Sequence, residues 1–324
     1  MTQKFKVLVT RKWPKSVEDK LKKTFDVKLN ESDVPLTQEE LKEAIDNYDA
    51  LLPTVTDSIN DFIISSENRR AKIIGNFGVG FNNIDIESAK KNKVVVTNTP
   101  EVLTDCTADI AMLLLLGVAR RGSEGEYHVR KKEWEGWRPT HMMGTKVTGK
   151  TLGLIGMGRI AQAVALKAHF GFQMKIIFFD PYFKNDHIIE KFNAESCDSL
   201  KSLLEKSDFV SLHCPSTKET KGLINYDSLS KMKENSYLIN TARGDIVVEE
   251  DLVKALKSKI IKGAGLDVFE AEPKVNSELL NFKNVFLLPH LGSATEETRE
   301  AMGMRVFSNV VDFLNGKEPE DRVV

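Results

Sequence analysis

The chain has 324 residues, 41% hydrophobic and 29% charged, with a formal net charge of -1. That length suits about two domains with enough apolar mass for real cores. The near-zero charge excludes a global field that would draw in nucleic acid or an acidic membrane. Three widely separated cysteines, Cys106, Cys197 and Cys214, have no metal-ligand spacing, which argues against a disulfide framework or structural zinc and suits a reducing cytoplasm.

From the N-terminus, MTQKFKVLVT enters a strand-like run and lacks the apolar core of a signal peptide. The runs KVLVT (6–10), ALLPTV (50–55), KIIGNFG (72–78) and KVVVTNT (93–99) are rich in Val, Ile and Leu. Polar, helix-compatible segments separate them, such as TQEELKEAIDN with apolar Leu41, Ala44 and Ile45. Continuous apolar strands separated by helices predict a parallel sheet covered on both faces. The basic runs Lys20–Lys23 and Arg130–Lys132 read as solvated helix faces. A long helix begins near Leu103; its apolar stretch IAMLLLLGVA falls short of the ~20 residues that span a bilayer. The aromatic, charged excursion KKEWEGWRPTHMMG follows, with Trp134 and Trp137 as candidate interface anchors.

A second series then begins: TLGLIGMG (151–158), KIIFFD (175–180), FVSLHC (209–214), SYLINTA (236–242), GAGLDVF (263–269) and NVFLLPH (284–290). Six strands with intervening helices match a doubly wound dinucleotide-binding sheet. A last helix is predicted from Met302, Val306, Val310 and Phe313 at helical spacing.

The strand at 151–155 runs into Gly156-x-Gly158-x-x-Ala161. Gly156 permits the tight turn, Gly158 lets a pyrophosphate approach the backbone, and Ala161 allows close helix–strand packing. The helix N-terminus offers N–H groups to phosphates. Asp180 closes the next strand at about the spacing expected of the acid that takes the ribose hydroxyls. A carboxylate there repels a 2′-phosphate, so NAD(H) is expected over NADP(H), with nearby Lys184 softening the preference.

Three further residues follow strand-like runs: Arg243 after LINTA, Glu272 in DVFEAEP and His290 in LLPHLGSAT. Ligands of open α/β sheets bind beyond the carboxyl ends of the strands. A single histidine at a strand end is more often structural than catalytic. The ordered set changes that reading. His213 and Cys214 end another strand and either line the same pocket or pack beneath it; His128, His169 and His187 read as helix or surface residues.

The segments GLIGMGRI, FFDP, LHCPST, LINTARGDIV, GLDVFEAEP and LLPHLGSAT resemble the successive motifs of the D-isomer-specific 2-hydroxyacid dehydrogenases. IIGNFGVGFNNID and VVVTNTPEVLTDCTAD are similar to that family's substrate loop and interdomain crossing, and the glyoxylate/hydroxypyruvate reductase branch is the most similar. The resemblance implies an α/β fold of two doubly wound parallel-sheet domains. One is a Rossmann NAD-binding domain, 100–290. The other is a smaller, flavodoxin-like, discontinuous substrate-binding domain, 1–99 and 291–324, with the site in the cleft between them.

It further implies NADH-dependent reduction of a small 2-oxo acid, hydroxypyruvate or glyoxylate. Arg243 would hold the carboxylate and polarise the carbonyl. His290 would donate the proton, and Glu272 would favour its imidazolium form. Backbone N–H groups of Val79 and Gly80 would complete the carboxylate cradle, with Leu52 and Pro53 lining the pocket. Implied cofactor contacts are Gly156, Gly158, Arg159, Ile160, Asp180, Pro215, Thr107, Thr241, Ala242, Arg243, Asp267, His290 and Gly292, with no metal.

A homodimer through the region around Trp134 is implied, with no nucleic acid or membrane partner. In the hydroxypyruvate branch an aromatic residue just after that segment's proline reaches the partner's active site, and the corresponding place here holds His141. Regulated phosphoglycerate dehydrogenases carry an extra domain, and formate dehydrogenases have glutamine at the position of Glu272. A D-lactate or other D-2-hydroxyacid dehydrogenase stays open, as does a non-catalytic NAD-sensing scaffold of the corepressor type.

Overall fold

The computed structural model describes residues 4–184, 190–191 and 193–324; His187 lies outside them. The chain forms two compact units, Met1–Leu103 with Ala294–Val324, and Thr104–Ser293. These limits stand three or four residues from those expected of the domains.

The first unit is built on β1 (Lys6–Val9), β2 (Asp26–Lys28), β3 (Ala50–Leu52), β4 (Ile73–Gly75) and β5 (Val95–Thr97). Every pairing is parallel and the order is β2-β1-β3-β4-β5, the flavodoxin-like arrangement. Sequence periodicity misses β2 for a physical reason. It is an edge strand of three residues with exposed Asp26 and Lys28, so it carries no apolar run.

Helices Gln38–Asn47, Asp61–Ile64 and Ile86–Lys91 cover one face, packing Leu41, Ile45, Ile63 and Ala89 with Leu8, Leu51, Ile74 and Val96. Thr37 and Glu40 close a capping box at the start of the first of these helices, a device worth about 1 kcal/mol. Helices Lys15–Thr24 and Glu296–Leu314 supply Val17, Leu21, Val306 and Val310, all with no exposed surface. Each such side chain contributes roughly 1.5–3 kcal/mol by burial. The tail then runs beside β5: Val323 donates to the Val96 carbonyl (2.7 Å) and Val96 to that of Val324 (3.1 Å). The otherwise bare strand edge is thereby paired. Arg305 grips Asp321 through Nε (2.6 Å) and Nη2 (2.7 Å).

The second unit carries β6 (Thr151–Ile155), β7 (Lys175–Phe179), β8 (Glu195–Ser196), β9 (Phe209–Leu212), β10 (Tyr237–Asn240), β11 (Gly263–Leu266) and β12 (Val285–Leu287). The order β12-β11-β10-β9-β6-β7-β8 is parallel throughout, a doubly wound sheet whose order reverses beside β6. Among the described residues this sheet has seven strands where six were expected. The addition, β8, is two exposed residues and leaves no periodic trace.

Helices Thr104–Ala119 and Arg159–Phe172 fill one face with Ala108, Leu114, Ala161 and Val164. The other face receives Leu203, Leu229, Leu252 and Leu256. His128 and His169 lie on helices.

Candidate active site

Strands β10, β11 and β12 are adjacent and parallel, so their C-terminal loops emerge on one edge of the sheet. Arg243 follows β10, Glu272 follows β11, and His290 follows β12. The His290 Nδ1 lies 2.8 Å from the Glu272 Oε2. The Phe269 N–H donates to the other oxygen, Oε1, at 3.0 Å.

Burial opposes ionisation of Glu272. The hydrogen bond and charge of His290, the Phe269 N–H and the charge of Arg243 outweigh it and hold the carboxyl below its usual range. Both partners keep about a third of their side-chain surface exposed, 36% for His290 and 31% for Glu272.

His290 is held from below. It adopts a left-handed backbone (φ 55°), uncommon for a residue with a Cβ. Asp267, 1% exposed, keeps it there. Its carbonyl accepts from the His290 N–H (2.9 Å), and its carboxylate accepts from Leu291 (2.6 Å) and Gly292 (2.8 Å). Thr107 completes the clamp by donating to the Gly292 carbonyl (2.9 Å). Asp267, Thr107 and Gly292, expected as cofactor contacts, thus bond to one another around the His290 loop. Burial of Asp267 raises its pKa against these backbone donors.

Arg243 is mostly enclosed. Burial lowers its pKa, while the charges of Glu272 and Asp245 act the other way; from so high an ordinary value it remains a cation. Its Nη1 donates to the Ala242 carbonyl (2.6 Å). Asn240, at the end of β10 and 1% exposed, fixes the turn: its Nδ2 donates to the Arg243 carbonyl (2.9 Å) and its Oδ1 accepts from Ala242 (3.0 Å). Gly244 is required by close approach, since a Cβ there would lie 1.9 Å from the Phe269 carbonyl carbon. The Arg243 loop and the loop bearing Glu272 are therefore in backbone contact.

The turn after β6 fits a dinucleotide. Gly156 has φ +86°, and a Cβ would come within 2.9 Å of the Cys214 nitrogen, so the fold itself demands glycine. Gly158 differs: no protein atom lies within 4 Å of where its Cβ would stand. Packing does not require glycine there, whereas a phosphate lying against the backbone would. Helix Arg159–Phe172 begins at this point with no side-chain cap, leaving the dipole end to an anion.

Asp180 directly follows β7. Its Oδ2 accepts from Met157 (2.9 Å) and its Oδ1 from Tyr182 (2.9 Å), which fixes the carboxylate beside the turn. Burial and the charge of Asp180 push the Cys214 thiol up to about 11, and burial takes His213 down to about 4. The Thr241 Oγ1 is buried without a hydrogen-bond partner, a polar atom suited to a ligand. Ile160 and Ala242 are partly exposed, and Arg159 and Pro215 are exposed. Among the described residues no cluster of His, Cys, Asp or Glu is placed to hold a metal ion.

In the first unit, Val79 and Gly80 are partly exposed after β4. Leu52 has no exposed surface, and its carbonyl accepts from the Thr10 N–H (3.2 Å). Its side chain packs near Gly75. Sequence reasoning also passed over Asn76, Asn98 and Asn240.

The model of the D-isomer specific 2-hydroxyacid dehydrogenase NAD-binding domain matches residues 112–292. The glyoxylate reductase of Thermococcus litoralis is 45% identical over 322 residues, covering 98% of this chain and 96% of that protein. The chain belongs to the D-isomer-specific 2-hydroxyacid dehydrogenase family.

Solved structures agree. A glyoxylate reductase from Paecilomyes thermophila superposes with a TM-score of 0.87 at 29% identity, covering 100% of this chain and 99% of that one. An NADPH-dependent glyoxylate/hydroxypyruvate reductase from Sinorhizobium meliloti, in complex with NADP and malonate, gives 0.86 at 32% identity, covering 99% and 97%. This dehydrogenase is an oxidoreductase acting on CH–OH donors, with a Rossmann NAD-binding domain. Among the described residues no helix is long and apolar enough to cross a membrane.

Proposed function

We propose that this dehydrogenase uses NADH to reduce a small 2-oxo acid, glyoxylate or hydroxypyruvate, to glycolate or D-glycerate. The 2.8 Å pairing of His290 Nδ1 with the Glu272 carboxylate carries the reading. With Nδ1 engaged, Nε2 is the nitrogen that gives its proton to the carbonyl oxygen. Glu272 stabilises the imidazolium that makes the gift. Arg243 grips the substrate carboxylate and draws charge toward the developing alkoxide. The Val79 and Gly80 N–H groups take the remaining carboxylate lone pairs. The bound nicotinamide supplies the hydride.

Asp180 supports NADH over NADPH, because its fixed carboxylate would repel a 2′-phosphate. The names of the relatives support glyoxylate as substrate, although the Sinorhizobium meliloti enzyme is named as NADPH-dependent. Steady-state assays with glyoxylate, hydroxypyruvate and pyruvate against both cofactors test the whole reading. A kcat/KM for glyoxylate or hydroxypyruvate with NADH above every other combination is expected, and preference for pyruvate or NADPH overturns it.

The same reading includes a homodimer. Tyr127, Val129, Trp134, Trp137 and Met143 lie close together in sequence, and each is more than half exposed. A soluble surface rarely leaves so many large apolar groups uncovered. Light scattering should give twice the chain mass, and Trp137→Glu should shift the protein toward monomer.

A further inference from the structure

We propose that Asn76 and Asn98 are positioning residues that orient the two peptide groups whose N–H bonds receive the substrate carboxylate. This rests on the reading of Val79 and Gly80 as carboxylate donors and says what aims them.

A trans peptide is planar, and its N–H points opposite to its C=O. The N–H of Val79 is therefore aimed by whatever holds the Gly78 carbonyl, and the N–H of Gly80 by whatever holds the Val79 carbonyl. Both carbonyls are held. The Gly78 oxygen accepts from the Thr99 N–H (3.1 Å) and lies 3.5 Å from the Asn76 Nδ2. The Val79 oxygen accepts from the Asn98 Nδ2 (2.8 Å). The next carbonyl, that of Gly80, accepts from the Asn76 Nδ2 (2.9 Å). Three consecutive carbonyls thus point into the first unit, and the intervening N–H bonds point away. Among the described residues neither the Val79 nor the Gly80 N–H donates to another backbone carbonyl.

Both asparagines are fixed in turn. Asn76 directly follows β4 and has no exposed surface. Its N–H donates to the Thr97 carbonyl (2.9 Å), and its Oδ1 accepts from the Asn83 Nδ2 (3.2 Å). Asn83 also reaches the carbonyls of Thr54 (3.1 Å) and Asp57 (3.2 Å). Asn98 directly follows β5, and its N–H donates to the Asp321 carbonyl (3.3 Å).

Each side chain therefore stands on the end of a buried strand and reaches the glycine loop from a rigid base. Donors aimed in advance need no reorganisation when the anion arrives. A peptide free to flip would present a carbonyl oxygen to the carboxylate and repel it.

The test compares the enzyme with Asn98→Ala and Asn98→Asp. Asn98 is partly exposed, so neither change opens a core cavity; Asn76→Ala serves as a second site, read with its melting temperature because Asn76 is buried. Three quantities are measured: Ki for oxamate, the kcat/KM ratio of glyoxylate to glycolaldehyde, which has no carboxylate, and the NADH dissociation constant. The expected result for Asn98→Ala is an oxamate Ki raised about tenfold and a glyoxylate preference narrowed to match, with NADH binding unchanged. Asn98→Asp should be worse than Asn98→Ala, since its carboxylate faces the Val79 oxygen.

Unchanged Ki and preference in both Asn98 variants overturn the positioning role while leaving the carboxylate reading intact. An unsubstituted enzyme that does not prefer glyoxylate over glycolaldehyde overturns both. A loss of NADH affinity equal to the loss for oxamate identifies general structural damage and also overturns the role.

Discussion

His290 Nδ1 and Glu272 Oε2 meet at 2.8 Å, although 18 residues separate them in the chain. The contact exists because β11 and β12 are parallel neighbours whose loops turn to the same edge. His290→Ala should reduce kcat by about 10²–10⁴ while leaving the NADH dissociation constant nearly unchanged, as read by fluorescence titration.

The acid side of this pair follows from Glu272, whose carboxyl lies below its usual range when folded. A depressed carboxyl contributes stability above its unfolded pKa, and that contribution disappears as pH falls through the folded value. The melting-temperature gap between the enzyme and Glu272→Gln should therefore be full at neutral pH and narrow on acidification below about 4. A gap constant down to pH 3 would contradict the pairing.

Gly244 ties Arg243 to the Glu272 loop by backbone contact. Gly244→Ala must push the two loops apart. It should lower stability by about 1–3 kcal/mol, seen in urea melts, and raise the KM for the 2-oxo acid in the same direction as Arg243→Ala. Arg243→Ala itself should raise KM and lower kcat together, because the guanidinium serves both binding and charge development.

Asp180 accepts backbone hydrogen bonds through both oxygens. Asp180→Ser removes the anion while retaining a small polar group. The ratio of kcat/KM with NADH to that with NADPH should fall at least tenfold, measured with saturating 2-oxo acid. An unchanged ratio would remove Asp180 from cofactor choice.

His213 stays neutral in the folded chain because burial lowers its pKa to about 4. An unfolded histidine takes a proton near pH 6.5. Between those values the unfolded state binds more protons, so the stabilising effect is complete above about 6.5 and is lost as pH falls toward 4. The residue as a whole keeps some exposed surface, so the loss is at most about 3 kcal/mol. His213→Asn should flatten stability across that window in chemical denaturation.

The second sheet and the strand ends that carry Arg243, Glu272 and His290 were largely legible because the signals are short-range. The β6 turn, its glycines and Asp180 lie within one strand–helix–strand unit. Arg243, Glu272 and His290 each follow a strand with an apolar run. The asparagines were not legible. Asn98 reaches back 19 residues to Val79, and asparagine after a strand reads equally well as an ordinary turn residue. β2 and β8 are defined by their neighbours' hydrogen bonds rather than by their own side chains.

The first unit needs Glu296–Leu314 to cover β4 and Val323 to pair with Val96, yet these residues follow the whole second unit in the chain. During synthesis the second unit is contiguous and can assemble as it leaves the ribosome. The first must wait, with the side of β4 that Val306 and Val310 will cover still bare, for roughly 20 s at ~10 residues per second. A nascent chain of this dehydrogenase therefore carries an unfinished lobe through most of its translation, and that lobe is where a chaperone would find it.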